Sequence, residues 1–206
     1  MPLIRKTPPP GPPGPPAETD PFAGLRATSA DARWTAARAL DDRPGGVAAL
    51  ASALSGENDA RVREVIFASL ARAATGESAE AVLPSLRSDD AGRRTGALDA
   101  LRAMPAAAAP LLPQLLADPD PDVRLLTCEV VRALPPAEAS ALLGALLDRE
   151  PLVNVCAAAV DVLAEAGDAS VLPVLGRCAE RFPNETFLGF AIKVAAQRLQ
   201  PRTPRG

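Results

Sequence analysis

From Asp20 onward the chain alternates apolar and polar positions with the period of a helix buried on one face, and this pattern itself recurs. Ten-residue windows beginning at Asp31 (DARWTAARAL), Arg61 (RVREVIFASL), Gly92 (GRRTGALDAL), Asp122 (DVRLLTCEVV) and Asn154 (NVCAAAVDVL) superimpose, with starts 30, 31, 30 and 32 residues apart. The second, fifth, sixth, ninth and tenth positions are mostly apolar or small, which predicts one helix per window with a common buried face. A weaker sixth copy, TFLGFAIKVA, extends the series from Thr186. Between the windows lie GGVAALASALSG, SAEAVLPSLRSD, AAPLLPQLLADP, AEASALLGALLD and DASVLPVLGRCA, each helical in pattern. Pro84, Pro113 and Pro173 recur at corresponding places in these segments, with Gly144 at the fourth. An interior proline lacks a donor and clashes with the preceding turn, so a bend or a late start is expected there. The joints SGENDA, RSDDAG and ADPDPD carry acids and Asn that suit N-caps.

The period divides the chain into six approximate units, 20–42, 43–75, 76–104, 105–134, 135–166 and 167–200, each a helix pair. Flanking them are a Pro-rich tail, 1–19, and a short basic tail, 201–206. MPLIRKTPPPGPPGPPAET offers little to bury and reads as extended spacer. Lys6, Pro9 and Pro12 within it match a K-x-x-P-x-x-P spacing that a polyproline-binding groove could read.

Composition sharpens this picture. Aromatics make up 3% of the 206 residues while 48% are hydrophobic. Ala and Leu carry the apolar load, which favours closely packed helices and an all-α fold. The net charge of -3 lacks the broad basic field that phosphate binding needs, so nucleic acid is not expected as a partner. No window approaches about 18 uninterrupted apolar residues, and the basic pair near the start has no apolar h-region behind it, so neither a membrane nor secretion is expected and the cytoplasm is. Cys128, Cys156 and Cys178 are far apart, form no C-x-x-C pair and read as small core residues.

The helix-turn-helix unit, the D-P-D-P-D-V-R joint at 118–124 and the L-P-x-L first helix resemble HEAT repeats, particularly the short bacterial HEAT-like type known from phycobilisome lyases. The resemblance covers roughly residues 20–200. It implies a right-handed α-solenoid of about six helix pairs, an armadillo-type superhelix with outer first helices and inner second helices. It also implies that the joint residues Arg33, Arg63, Arg94 and Arg124, each following an acid, form a structural ladder between repeats. Cys156 and Leu188 stand where the last two units lack this arginine, so those units are expected to stack differently or to act as a cap.

Catalysis finds no footing in these residues. The sequence contains no histidine, which removes any His-based triad or zinc site and the His-Glu metal ligands of the HEAT-repeat hydroxylases. Trp34 is the single Trp and no aromatic cluster sits among arginines, unlike the cleft of the HEAT-like DNA glycosylases. No catalytic, metal or cofactor residue is assigned and no cofactor is expected. The expected activity is that of a non-enzymatic scaffold or adaptor, a monomer binding a protein partner; the alternative is a bilin-lyase-like accessory in cofactor attachment or enzyme maturation.

The candidate binding face lies on the second helices, at the fourth, seventh, eighth and eleventh window positions. Its seventh position reads Ala37, Phe67, Leu98, Cys128, Val160 and Ile192, with Trp34 and Leu125 beside it. Asp99, Glu129 and Asp161 occupy the eighth position in three successive repeats. Exposed, these would form an apolar seam, with Trp34, Phe67, Leu98, Leu125 and Val160 as anchors, rimmed by acid and suited to a partner with apolar anchors and basic flanks. Alternatively the seventh-position residues pack between neighbouring helices. Phe182, Phe187, Phe190 and Ile192 are expected to close the C-terminal end.

Overall fold

The computed structural model describes residues 20–200; the calls on 1–19 and 201–206 concern tails that lie outside the described residues. Thirteen α-helices, joined by turns and short 3-10 segments, pair off along the chain: α1 (Pro21–Gly24) with α2 (Ala30–Arg38), α3 (Gly46–Gly56) with α4 (Ala60–Ala73), and α5 (Gly76–Val82) with α6 (Ala91–Ala103). They continue with α7 (Pro105–Ala108) and α8 (Leu112–Leu115) against α9 (Pro121–Val131), α10 (Pro136–Leu147) with α11 (Val153–Ala166), and α12 (Leu172–Arg181) with α13 (Thr186–Leu199). Among the described residues there are no strands. The second helices α2, α4, α6, α9, α11 and α13 neighbour one another in that order and form one layer; the first helices back them. The protein is an all-α solenoid.

Proline shapes the first helices as expected. Pro84 stands in a 3-10 segment, Leu83–Arg87, that finishes the α5 limb, while Pro113 and Pro173 occupy the second residue of α8 and α12, each just after a 3-10 turn. Where Gly144 replaces the proline, α10 runs unbroken. Proline is tolerated in a first turn, where its missing N–H has no partner to lose, and each limb is therefore broken beside it.

The three middle second helices α4, α6 and α9 start at side-chain caps, whereas α2, α11 and α13 do not. Asp59, Asp90 and Asp120 accept backbone N–H bonds from the first turns of α4, α6 and α9. Two residues before these N-caps, and before Leu152 at the start of α11, stands a second oxygen-bearing side chain, Glu57, Ser88, Asp118 and Glu150, whose oxygen accepts the N–H of the N-cap residue itself. Of these, Glu57, Asp118 and Glu150 are buried.

A buried carboxylate needs a partner, and the joint arginines provide it. Arg33 donates from Nε and Nη2 to Glu57 at 2.7 and 3.0 Å while its Nη1 bonds the carbonyls of Ala27 and Thr28. Arg124 repeats this geometry on Glu150 at 2.7 and 2.9 Å, with Nη1 on the Asp118 carbonyl. Arg63 reaches Asp90 of the following joint, and Arg87 pairs with Asp118. Arg94 closes only its own joint, through the Ser88 carbonyl. From the other side, Arg93 donates to the carbonyls of Leu54 and Glu57, and Arg181 to those of Leu147 and Glu150. Each of the two glutamates thus joins the unit before it to the unit after it.

The core is a continuous file of Leu, Val, Ala and Ile, with Leu40, Leu50, Ile66, Leu70, Leu101, Leu143 and Leu163 wholly buried. One connection carries strain: Ala74, which ends α4, has φ 47°. A Cβ in the left-handed region costs about 1 kcal/mol that glycine avoids. Ala74→Gly should therefore raise the urea midpoint, corresponding to a gain of about 1 kcal/mol; an unchanged or lower midpoint would show the strain to be absorbed elsewhere.

The glutamates also set the response to acid. The Arg33 bonds, with backbone N–H donors, hold Glu57 below the ordinary carboxylate range. Burial alone would push Glu150 up, but Arg124, the Leu152 N–H and nearby Arg149 outweigh it and hold it low as well. As pH falls, the unfolded chain takes up protons before the folded one does. The stability contributed by these pairs is thus full above the ordinary Glu range near ~4.3 and is lost as pH drops through and below it. Glu150→Gln, which leaves the Arg124 charge without its counter-charge, should cost about 3 kcal/mol at neutral pH. Urea midpoints from pH 7 to 3 should fall steeply for the wild type and less steeply for Glu57→Gln/Glu150→Gln; equal slopes would remove the two carboxylates from the account.

Candidate functional site

A second helix in the middle of this stack touches its own first helix and a second helix on either side, so only a narrow stripe stays open. The N-caps fix which residues form it. In α2, α4, α6, α9 and α11 the ten-residue windows begin two residues after the N-cap, at Asp31, Arg61, Gly92, Asp122 and Asn154. The sixth and seventh positions are then both packed: Ala36, Ile66, Ala97, Thr127 and Ala159 at the sixth, and Ala37, Phe67, Cys128 and Val160 at the seventh. Leu98 is half-buried.

This corrects the expected seam. Phe67 is 4% exposed and Val160 0%; both fill the space between neighbouring second helices and cannot serve as surface anchors. The ring of Phe67 lies so close to α6 that a Cβ on Gly96 would come within 2.5 Å of it, so the glycine is what allows the two helices to close. The open stripe runs instead through the first, fourth, eighth and eleventh positions. The anchors that remain accessible are half-buried: Trp34 and Leu125 at the fourth position and Leu98 at the edge of the stripe.

The sixth window also shifts. With Glu185 as the N-cap of α13, the equivalent window begins at Phe187, not Thr186. Leu188, Ile192 and Ala195, buried at the second, sixth and ninth positions, agree with this register. Lys193 then takes the seventh position, which in the other units faces the next second helix. The stack therefore ends on an exposed lysine where its interior units have Phe, Cys or Val. Phe187 and Phe190 are 74% and 65% exposed and do not close the end; Phe182 is half-buried and Ile192 belongs to the core.

The acids of the stripe have different partners. Arg132 binds Glu129, Asp161 and Glu165 together, so two of the three expected ridge acids share one guanidinium. Asp99 is exposed, and neither it nor Glu64 has an ion-pair partner among the described residues. The joint arginines all lie off the stripe, in the clasps described above.

Three depressions adjoin in the N-terminal half of the stack, the first on the end face of α2 and the other two along the open stripe. One of about 740 Å³ lies against α1 and α2, lined by Asp20, Gly24, Asp31, Thr35 and Arg43. The next, about 690 Å³, shares Asp31 and Thr35 with it and holds Trp34, Arg38, Arg61, Arg72, Glu64 and Ala68. Arg38 stacks 4.8 Å above the Trp34 ring, Arg61 pairs with Asp31, and Arg72 pairs with Asp41. The third, about 620 Å³, shares Glu64 and Ala68 and runs between α4 and α6 over Phe67, Gly96 and Ala100 to Asp99. Small side chains on both helices make this last trough. The signal in the sequence is the set of Ala and Gly at 68, 71, 92, 96 and 100, which helical periodicity alone does not divide into packing and surface positions.

Nucleophilic groups are withdrawn from this face. All three cysteines are buried and free of disulfides. Burial pushes the Cys128 thiol up to about 12; Cys156 and Cys178 are buried against each other, and their mutual hydrogen bond raises Cys156 and lowers Cys178 to about 7. Among the described residues no group of His, Cys, Asp and Glu could hold a metal ion, and no helix is long and apolar enough to cross a membrane.

Comparison with known proteins agrees with the geometry. A chain from a structure of microtubule plus end tracking by XMAP215, CLIP-170 and EB1 superimposes with a TM-score of 0.59 at 16% identity, covering 91% of this chain and 92% of that one. Looser likenesses are a chain of the CpcE–CpcF phycocyanin lyase complex from Nostoc sp. PCC7120, with TM-score 0.46, 19% identity and coverage of 98% and 95%, and a designed armadillo repeat protein in complex with the peptide (KR)4, with TM-score 0.44, 14% identity and coverage of 87% and 98%. No curated protein matches the sequence. The family model for HEAT repeats matches residues 108–198, the last three helix pairs; the clasped joints repeat on either side of residue 108, and the described chain as a whole is an all-α solenoid with a HEAT-repeat C-terminal half.

Proposed function

We propose that this protein is a non-enzymatic scaffold, a monomer of the cytoplasm, that binds an extended segment of a protein partner in the trough crossing α2, α4 and α6. The observation that carries the reading is the continuity of the depressions at Trp34 and above Phe67, which share Glu64 and Ala68. An extended chain laid across helices at ~8–10 Å spacing meets a new depression every two or three residues. Trp34 supplies an aromatic face at one end, and small residues supply an apolar floor at the other. Glu64 and Asp99, which have no ion-pair partner among the described residues, favour a segment with basic residues beside its apolar ones. The anchors are Trp34 and the floor of Ala68, Ala71, Gly96 and Ala100, with the acids Glu64 and Asp99 beside them; Leu98, Leu125, Glu129 and Asp161 lie outside the depressions.

Randomised 12-residue peptides selected on the folded protein should converge on an apolar residue flanked by Lys or Arg. Ala68 is exposed and lies where the two depressions meet. Ala68→Arg should leave the urea midpoint within about 0.5 kcal/mol and weaken the selected peptide by more than about 2 kcal/mol, as Trp34→Ala should. Phe67→Ser, by contrast, opens a cavity and should cost several kcal/mol of folding stability. Unchanged peptide affinity in Ala68→Arg and Trp34→Ala would overturn the trough as the binding site.

A further inference from the structure

The boundary between the fifth and sixth units departs from the earlier joints in the group it places at the clasp. Where Arg33, Arg63, Arg94 and Arg124 stand in the first four units, the third window position of α11 is Cys156. Its Sγ bonds the Glu150 carbonyl at 3.6 Å, and a second thiol, Cys178 of α12, lies against it. The two sulfurs thus come from successive units and meet where an arginine would otherwise have tied them. Both are buried, at 0% and 1% exposure. Arg181, one turn after Cys178, is itself exposed; it bonds the Leu147 and Glu150 carbonyls and bears its charge on both thiols, which puts the pair one side chain beneath the surface. The hydrogen bond from Cys156, aided by Arg181, holds the Cys178 thiol down at about 7, so a large share of it is thiolate at neutral pH. Cys128 is the contrast: equally buried, it is pushed up to about 12 and has no second thiol acting on it.

We propose that Cys156 and Cys178 form a reversible disulfide that fastens the sixth unit to the fifth, in place of the arginine clasp, when a small disulfide of the glutathione type is in excess. The Cys178 thiolate attacks one sulfur of the oxidant; that S–S bond breaks, one small thiolate leaves and takes up a proton, and Cys178 carries a mixed disulfide. Cys156 then gives its proton to solvent and attacks the Cys178 sulfur, releasing the second small thiolate, which is protonated in turn. Two protein thiols are oxidised to one disulfide, and the oxidant is reduced to two thiols. A low-pKa attacking thiol beside a resolving thiol is the arrangement that makes such a cycle reversible. The bond closes the loop between the two cysteines and so restricts the unfolded chain. It also acts where the stack is least supported, because among the described residues the sixth unit has a neighbouring unit on one side only.

Thiol counting in the full chain tests this. After equilibration with oxidised glutathione in excess over reduced, unfolding in N-ethylmaleimide should label Cys128 alone, against all three cysteines before oxidation, and a digest should yield a peptide in which Cys156 and Cys178 are linked. Dithiothreitol should restore all three thiols. The oxidised chain should melt roughly 5–10 °C higher than the reduced one, and amide exchange in α12 and α13 should slow by about ten-fold. Cys128→Ala should keep both responses, whereas Cys156→Ala and Cys178→Ala should lose them. Three labelled thiols after oxidation, or glutathione retained on Cys178 with Cys156 still labelled, would overturn the disulfide; a linked chain that melts no higher than the reduced one would overturn its role as a clasp.

Discussion

Two glutamates that could not remain buried alone hold the repeats in line. Glu57 and Glu150 lie at the joints of the second and fifth units, 7% and 2% exposed. A carboxylate at such depth is tolerated only when its oxygens are fully engaged. Arg33 and Arg124 come to them from the unit before, the N–H groups of Asp59 and Leu152 from their own unit, and Arg93 and Arg181 fasten the same residues' carbonyls from the unit after. Each glutamate therefore ties three successive units, and between them the two clasps reach all six. A hydrophobic interface between Ala- and Leu-faced helices tolerates sliding, because one methyl resembles the next. Bidentate pairing does not, and the register of the stack is set by these charged joints while its stability comes from the apolar file beside them.

That division of labour decides what is left for function. Arginines used at the joints point away from the open stripe, so the guanidinium groups most conspicuous in the repeat are structural and the face beyond them is shaped by what the stacking does not consume. Between α4 and α6 the stacking consumes Phe67 and requires Gly96. The same exchange of a large residue for a small one hollows the surface above them. A trough lined by Ala and Gly is thus a by-product of a close helix contact. Because the hollow forms beside rigid helices, its shape is set before any ligand arrives, which reduces the ordering cost of binding.

The architecture was legible because its signals recur. Five copies of a window, aspartates at each joint and prolines at one place in the first helices leave little freedom, and the pairing, the caps and the broken first limbs all follow. The open face was harder to read because helical periodicity gives angles and not neighbours. The seventh position lies some 100° from the sixth on a helical wheel, and nothing in a single helix says that another helix will cover it. Phe67 and Val160 are buried because a solenoid's middle helices have three neighbours. The roles of Glu57 and Glu150 are hidden in the sequence for a related reason: acids precede each arginine in its own joint, whereas the buried partner lies about 25 residues further on, in the next joint.

The C-terminal unit shows the same logic at its limit. α13 carries the charged Lys193 at the seventh position, where the interior units bury apolar side chains against the next second helix. Burying that ammonium under a further helix would be costly, and the same helix carries Phe187 and Phe190 outward on the open stripe. At the other end of the described residues α2 presents Ala32, Thr35 and Ala39 to the depression that contains Asp20, so the two described ends of the stack differ: one carries a lysine at the stacking position and the other small, uncharged residues.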